Sequence, residues 1–318
     1  MRYLFVMSMF LCLLWSTVPV VAEETPWHVR IEPRAKQIRT YTKRYKVLEI
    51  ENDTLSVDFS IRTFWTVHEI FYKGTRVNQS SGATGTVIHW DGEAIGTGHR
   101  GKKRSEELHE VMLTVDGTSH TLFADGAQKV PKDFVASGRQ ITLLKKSVIG
   151  PLRHEAQFDF DMAGKYYIAT HRFEVIETIT PERFKGYRYV FMQMMPKDMS
   201  LWRLFGSDHE PGHGEASRPD PQLDKKKQTK LFDRVPMKAL ACYSPTNKVG
   251  IAYVYPEKYP GVNHYLDRFW KDNKFRGILF EKDSYEVGEK FEYRMRVQPF
   301  SAAPDNWQQI ATGVVEEH

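Results

Sequence analysis

The chain has 318 residues, a net charge of +5, and a composition that is 41% apolar and 27% charged. The charges are spread along the sequence, and the absence of a basic stripe argues against nucleic-acid binding. Two cysteines, Cys12 and Cys242, exclude a disulfide framework, and a chain of this length buries a core without one.

The first residues, Met1-Arg2-Tyr3, lead into an apolar run from Leu4 to Trp15 and a stretch from Ser16 to Ala22 that ends in small residues. That order predicts a signal peptide over 1–22, cut after Ala22. Cys12 follows Leu11 inside the apolar run, which is not a lipoprotein pattern. Cleavage removes Arg2, lowers the charge to +4 and leaves Cys242 as the lone cysteine. An exported chain without a disulfide points to a bacterial periplasm or exterior. No later stretch is long and apolar enough to cross a bilayer. Residues 23–318 are expected to form one domain.

Strand patterns follow one another in chain order. A run over 45–51 precedes Leu55, Val57, Phe59 and Ile61, which alternate with Ser56, Asp58 and Ser60. Strand-like runs continue over 64–72, 111–115 and 140–149. Ala156, Phe158 and Phe160 then alternate with Gln157, Asp159 and Asp161. Runs over 166–179, 187–195, 237–243, 250–255 and 277–281 come next. The last strand alternates Phe291, Tyr293, Met295 and Val297 with charged residues. Period-two patterning marks one buried and one wet face, the habit of antiparallel sheets.

Turn signals separate these runs at Lys73-Gly74, Asp91-Gly92, Asp116-Gly117, Ala163-Gly164 and Val287-Gly288. Short windows such as 105–111 are the only helix candidates. Two irregular stretches, 92–106 and 206–235, read as lids or binding loops, or else as disordered segments. The expected fold is all-β: a large antiparallel β-sandwich.

Two segments, Leu48-Glu49-Ile50-Glu51-Asn52-Asp53-Thr54-Leu55-Ser56-Val57 and Ile70-Phe71-Tyr72-Lys73-Gly74, together resemble the opening strands of galactose mutarotase-like domains. The run Gly288-Glu289-Lys290-Phe291-Glu292-Tyr293 resembles their closing strand. The resemblance implies a supersandwich with a sugar site on the concave face of one sheet. The superfamily holds epimerases, polysaccharide lyases and non-catalytic domains, so fold alone does not set activity. The Asn-His pair of true mutarotases has no counterpart on a central strand here, which speaks against ordinary aldose mutarotation.

Several residues can carry chemistry. His171 shares a strand face with Tyr167, Ala169, Phe173 and Val175; it is either a core histidine or a general acid–base group aimed at a sugar. His99-Arg100, after Gly96-Thr97-Gly98 and Trp90, suits catalysis and carboxylate binding in a loop. Tyr189, beside Arg188, is a candidate acid or base for β-elimination of uronates. Trp90 and Trp270 are candidate stacking platforms for sugar rings. Glu106, Glu107, His109 and Glu110 read as a solvated edge.

Asp208, His209 and His213 form a polar cluster with weak metal-binding character, and its ligand set matches neither zinc nor calcium. No cofactor is expected. Cys242, in an apolar run, is expected to be buried. The expected partner is carbohydrate, with acidic polysaccharide as one class of it. Three readings stand: an exported enzyme that removes a proton at a sugar carbon (a lyase or epimerase), a non-catalytic carbohydrate-binding sandwich, or a cell-envelope interaction protein.

Overall fold

The alternating segments fold as pleated strands, because successive side chains leave a strand on opposite faces. A computed structural model describes residues 26–38, 41–78, 85–96, 106–185, 188–196, 198–206, 213–215, 229–233, 237–256, 265–269, 272–280 and 282–317. The strands within them form three antiparallel sheets. The predicted leader and the residues His99, Arg100, Asp208, His209 and Trp270 lie outside the described residues.

One six-stranded sheet runs in the order β11 (Val135–Gly138), β1 (Trp27–Ile38), β2 (Tyr41–Glu51), β3 (Leu55–Ser60), β4 (Thr66–Tyr72) and β5 (Thr75–Asn78). The largest sheet begins with β10 (Ala127–Gln128), β9 (Thr118–Ala124), β8 (Glu107–Val115), β12 (Ile141–Ile149), β13 (Leu152–Phe160) and β14 (Tyr167–Val175). It continues through β23 (Lys290–Ser301), β20 (Val249–Val254), β19 (Ala239–Ser244), β16 (Leu201–Phe205) and β17 (His213–Glu215), eleven strands in all. The third sheet orders β18 (Thr229–Asp233), β21 (Tyr265–Phe269), β22 (Asp272–Leu279), β15 (Arg188–Met195), β6 (Val87–Trp90) and β7 (Glu93–Gly96).

The two six-stranded sheets pack on one face of the eleven-stranded sheet, and a single buried cluster draws residues from all three. Phe59 of β3 meets Phe158 of β13 edge to face at 4.9 Å. Phe275 of β22 meets Tyr253 of β20 at 5.0 Å. Aromatic pairs of this kind bury large area in a defined geometry. The all-β sandwich expected from alternation is the fold observed.

The turns follow their residues. Lys73-Gly74, Asp91-Gly92 and Asp116-Gly117 each place both residues at positive φ (48° and 75°, 50° and 80°, 46° and 81°). Hairpin turns that match strand twist need this conformation, which Gly adopts without strain and Asp tolerates. The Asp116 carboxylate also accepts the backbone N–H groups of Arg139 (2.9 Å) and Gln140 (2.8 Å), tying the β8–β9 turn to the start of β12.

The stretches 92–106 and 206–235, expected to be irregular, contain the short strands β7, β17 and β18. Three further elements depart from expectation. Within the window 105–111, a helix candidate, residues 107–111 instead belong to strand β8. A helix of one or two turns pays its nucleation cost without return, whereas pairing with β12 satisfies the same backbone. Strand β1 escaped notice because Pro33 and the basic Arg30, Arg34 and Lys36 mask the alternation of Trp27, Val29 and Ile31.

The third is a terminal helix, α1 (Trp307–Glu316), which buries Trp307, Ala311 and Val315 at four-residue spacing. It lies against β19, β20 and β23 on the side of the large sheet away from the other sheets. Trp307 stacks on Tyr243 with centroids 5.3 Å apart. The Arg296 guanidinium donates to the carbonyls of Val314 (2.6 Å) and Glu317 (2.5 Å), a cation placed at the negative end of the helix. Trp307→Ala is expected to cost about 3–5 kcal/mol of stability. Urea unfolding checks this, and a loss below about 1 kcal/mol would mean that the helix is not docked.

Candidate functional site

Alternation along β12, β13 and β14 sorts their polar residues onto two faces. Leu143, Lys145, Ser147 and Ile149 point inward from β12, Leu152, His154 and Ala156 from β13, and Tyr167, Ala169 and His171 from β14. The register puts Lys145 opposite Ala156 and Ala156 opposite His171. Ser147 stands opposite His154. A polar cluster therefore sits inside an otherwise apolar core.

Several of its members pair with one another. The Lys145 ammonium meets the Glu106 carboxylate at 2.8 Å, with side chains 2% and 0% exposed. His154 Nε2 lies 2.9 Å from His171 Nδ1, so one proton is shared between the two nitrogens. His154 Nδ1 faces the Ser147 hydroxyl at 3.4 Å, and His171 Nδ1 faces Thr86 Oγ1 at 3.4 Å. The Thr86 hydroxyl donates to the Val190 carbonyl at 3.1 Å. The His154 ring stacks on Phe173 with centroids 4.8 Å apart.

Burial pushes the His171 imidazole down to about 3, and the Lys145 charge adds to the effect. Burial, then the neighbouring His171 and Lys145, hold His154 well below its ordinary value. Both rings are therefore neutral near pH 7. The cavity beside His171 measures about 20 Å³, far smaller than a sugar ring. His171 is thus a hydrogen-bonded core residue, the first of its two sequence readings, and in this arrangement it faces no substrate-sized space.

The opposite face is wet and equally ordered. A row of alternating charge crosses five strands: Glu110, Lys146, Glu155, Arg172 and Glu292 are successive partners in register. Lys146 pairs with Glu110 at 2.8 Å. The Arg172 guanidinium pairs with Glu155 at 2.8 Å and with Glu292 at 2.7 Å. It also donates to Gln157 Oε1 at 2.9 Å. The Gln157 amide in turn donates to both oxygens of Asp159 (2.9 and 2.8 Å), which further accepts from Thr142 at 2.8 Å. These side chains form a connected hydrogen-bond chain from Glu292 to Thr142 on the solvent side of the sheet.

Trp90 is buried, and the guanidinium of Arg183 covers its ring at 4.0 Å, held there by Asp91 at two contacts of 2.7 Å. Its indole face is spent on a cation–π contact and is not open to a sugar. Arg188 and Tyr189 open β15, opposite Ile88 and Val87 of β6. His213 lies on β17 opposite Arg203 of β16. Among the described residues no group of three His, Cys, Asp or Glu is placed to hold a metal. Cys242 is buried, and burial raises its thiol pKa, as its apolar run suggested.

Glu106, expected on a solvated edge, is instead the buried partner of Lys145. Lys145 and His154 carried a legible signal that the sequence reading passed over. Each occupies an inward position of a strand whose other inward residues are mostly apolar: Ile141, Leu143 and Ile149, and Leu152, Ala156 and Phe158. A charged residue at such a position must find a buried partner.

No known family model and no curated protein matches the sequence. Some solved structures share parts of its chain path. A candidate aldose 1-epimerase of Escherichia coli K12 aligns over 85% of this chain and 99% of its own, at 8% identity and a TM-score of 0.41. One of Klebsiella pneumoniae aligns over 92% of each chain, at 8% identity and 0.46. A TPR-domain containing protein of Parabacteroides distasonis aligns over 86% of this chain at 9% identity and 0.47. This chain spans 54%, about half, of that longer protein. Likenesses of this degree transfer no residue roles.

Two outcomes follow from the buried cluster. The histidines are depressed in the folded state, so the unfolded chain binds more protons below about pH 6.5. Stability is then complete above that pH and falls as the solution is acidified, by up to about 1.4 kcal/mol per pH unit for each ring. Urea unfolding between pH 7 and 4.5 measures this before the carboxylates contribute, and a flat profile would contradict the neutral pair. Lys145→Met leaves Glu106 as an unpaired buried charge and is expected to cost about 3–5 kcal/mol. Adding Glu106→Gln should recover part of that loss, and no recovery would deny their coupling.

Proposed function

We propose that this chain is an exported carbohydrate-active protein of the galactose mutarotase-like kind, with its saccharide site on the outer face of β12, β13, β14 and β23. The observation that carries the reading is the connected, half-exposed chain of donors and acceptors running through Arg172, Gln157, Asp159 and Thr142. Sugar hydroxyls are met by fixed planar groups of this sort, since each can give or take directional hydrogen bonds. The strand motifs that resemble mutarotase-like domains point to a sugar site on one sheet face.

Cations and carboxylates alternate on this face and are paired with each other. The face therefore offers directional bonds rather than a net field, which suits a neutral saccharide better than an acidic polysaccharide. Proton removal at a sugar carbon, as in a lyase or epimerase, would take its base from Glu155 or Asp159, with Arg172 stabilising the charge that develops. The second reading, binding without chemistry, draws on the ion pairs and hydrogen bonds that already engage these carboxylates and on the burial of His171. No cofactor enters either reading. No helix among the described residues is long and apolar enough to cross a membrane.

Proton NMR of the mature protein with a panel of neutral and uronate saccharides separates the readings. Vinylic signals mark a lyase, faster exchange at a sugar carbon marks an epimerase, and broadening alone marks a binding module. Arg172→Met and Gln157→Leu should each weaken the response about tenfold, the effect of one hydrogen bond lost from the site. Variants that respond like the parent would remove the outer face as the site. A silent panel would leave the cell-envelope interaction protein as the better description.

A further inference from the structure

We infer that the junction of the three sheets is a built site for one long-lived water molecule. The small cavity there measures about 20 Å³ and is lined by Thr66 of β4, Lys145 of β12, Tyr167 and His171 of β14, and Gln193 of β15, among others. A single water needs roughly 10–15 Å³ of such space, so the cavity takes one and excludes larger ligands.

The walls specify what it takes. Thr66 Oγ1, Tyr167 Oη and Gln193 Oε1 are buried and have no hydrogen-bond partner among the described residues. Two are hydroxyls able to donate, and the third is an acceptor. A water molecule accepts from the first two and donates to the third, which is the complement an isolated ion does not offer. Charge argues the same way. The Lys145 ammonium is already balanced by Glu106 at 2.8 Å, so the site has no net charge to hold an anion or a metal ion. Val67, Ala156, Phe158 and Ala169 make much of the rest of the lining apolar, so these three unpartnered polar atoms are what favour a hydrated junction over a dry one.

Position gives this water a role. Thr66 belongs to the first six-stranded sheet, Gln193 to the other, and Tyr167 to the eleven-stranded sheet. One molecule therefore links three sheets through hydrogen bonds, beside the neutral His154–His171 pair. The inference is independent of any saccharide bound on the outer face.

Oxygen-17 magnetic relaxation dispersion of the full mature protein counts water molecules held longer than nanoseconds and is blind to hydroxyl protons. The parent should contain such a water, and the near-isosteric Thr66→Val and Gln193→Met should each lose the amplitude of one molecule. Equal amplitudes in parent and both variants would overturn the assignment. Should one variant fail to fold, the other still decides. A parent without long-lived water, or one whose cavity takes up xenon, has a dry junction.

Discussion

In a β-strand each side chain leaves on the face opposite its neighbour, and the eleven-stranded sheet applies that constraint across its central strands at once. Register then turns single residues into rows. Lys145, Ala156 and His171 line up inside, while one position further along Lys146, Glu155 and Arg172 line up outside. A slip of one residue in β13 would exchange these sets, placing Glu155 in the core and His154 in water. The register is thus specified by the polar residues as well as by the apolar ones.

The inner row follows the rule that buried charge is tolerated when it is paired and buried titratable groups when they are neutral. Lys145 has Glu106, and the two histidines share a proton with each other. Such an arrangement contributes specificity of packing more readily than stability, since an apolar core of the same volume would avoid the desolvation cost. It also withdraws His171 from chemistry. An imidazole serves as acid and base near neutrality only when its pKa lies there and a substrate can reach it.

The outer face is divided by what covers it. Over β19, β20 and the end of β23 its residues are apolar (Ala241, Tyr243, Ala252, Val254 and Phe300), and α1 lies on them. Over β8, β12, β13, β14 and the start of β23 its residues are largely polar or charged, and they stay wet. Arg296 stands between the two regions, with its guanidinium capping the helix and lying 5.3 Å from the Tyr166 ring. The same sheet surface thereby serves as core under the helix and as a hydrogen-bonding field beside it.

Local pattern determined the class of fold. Alternation in 156–160 and 291–297 gives half-buried antiparallel strands, and Asp116-Gly117 a hairpin, because both follow from dihedral preferences and hydropathy within a few residues. The inward parity of His171 was legible for the same reason. The alternating run at 55–61 also forms a strand, over Leu55–Ser60, but Asp58 and Ser60 on its expected wet face are buried and Ile61 opens a 3-10 turn. Tertiary structure decided the rest. Whether an inward histidine meets a ligand or another histidine depends on β13 and on Thr86, which is 85 residues away in sequence. Glu106 reads as a surface acid until β12 brings Lys145 to it, and Trp90 reads as a sugar platform until Arg183 lies over it. Each of those outcomes is set by a partner distant in sequence, and neither composition nor periodicity records which distant residues fold together.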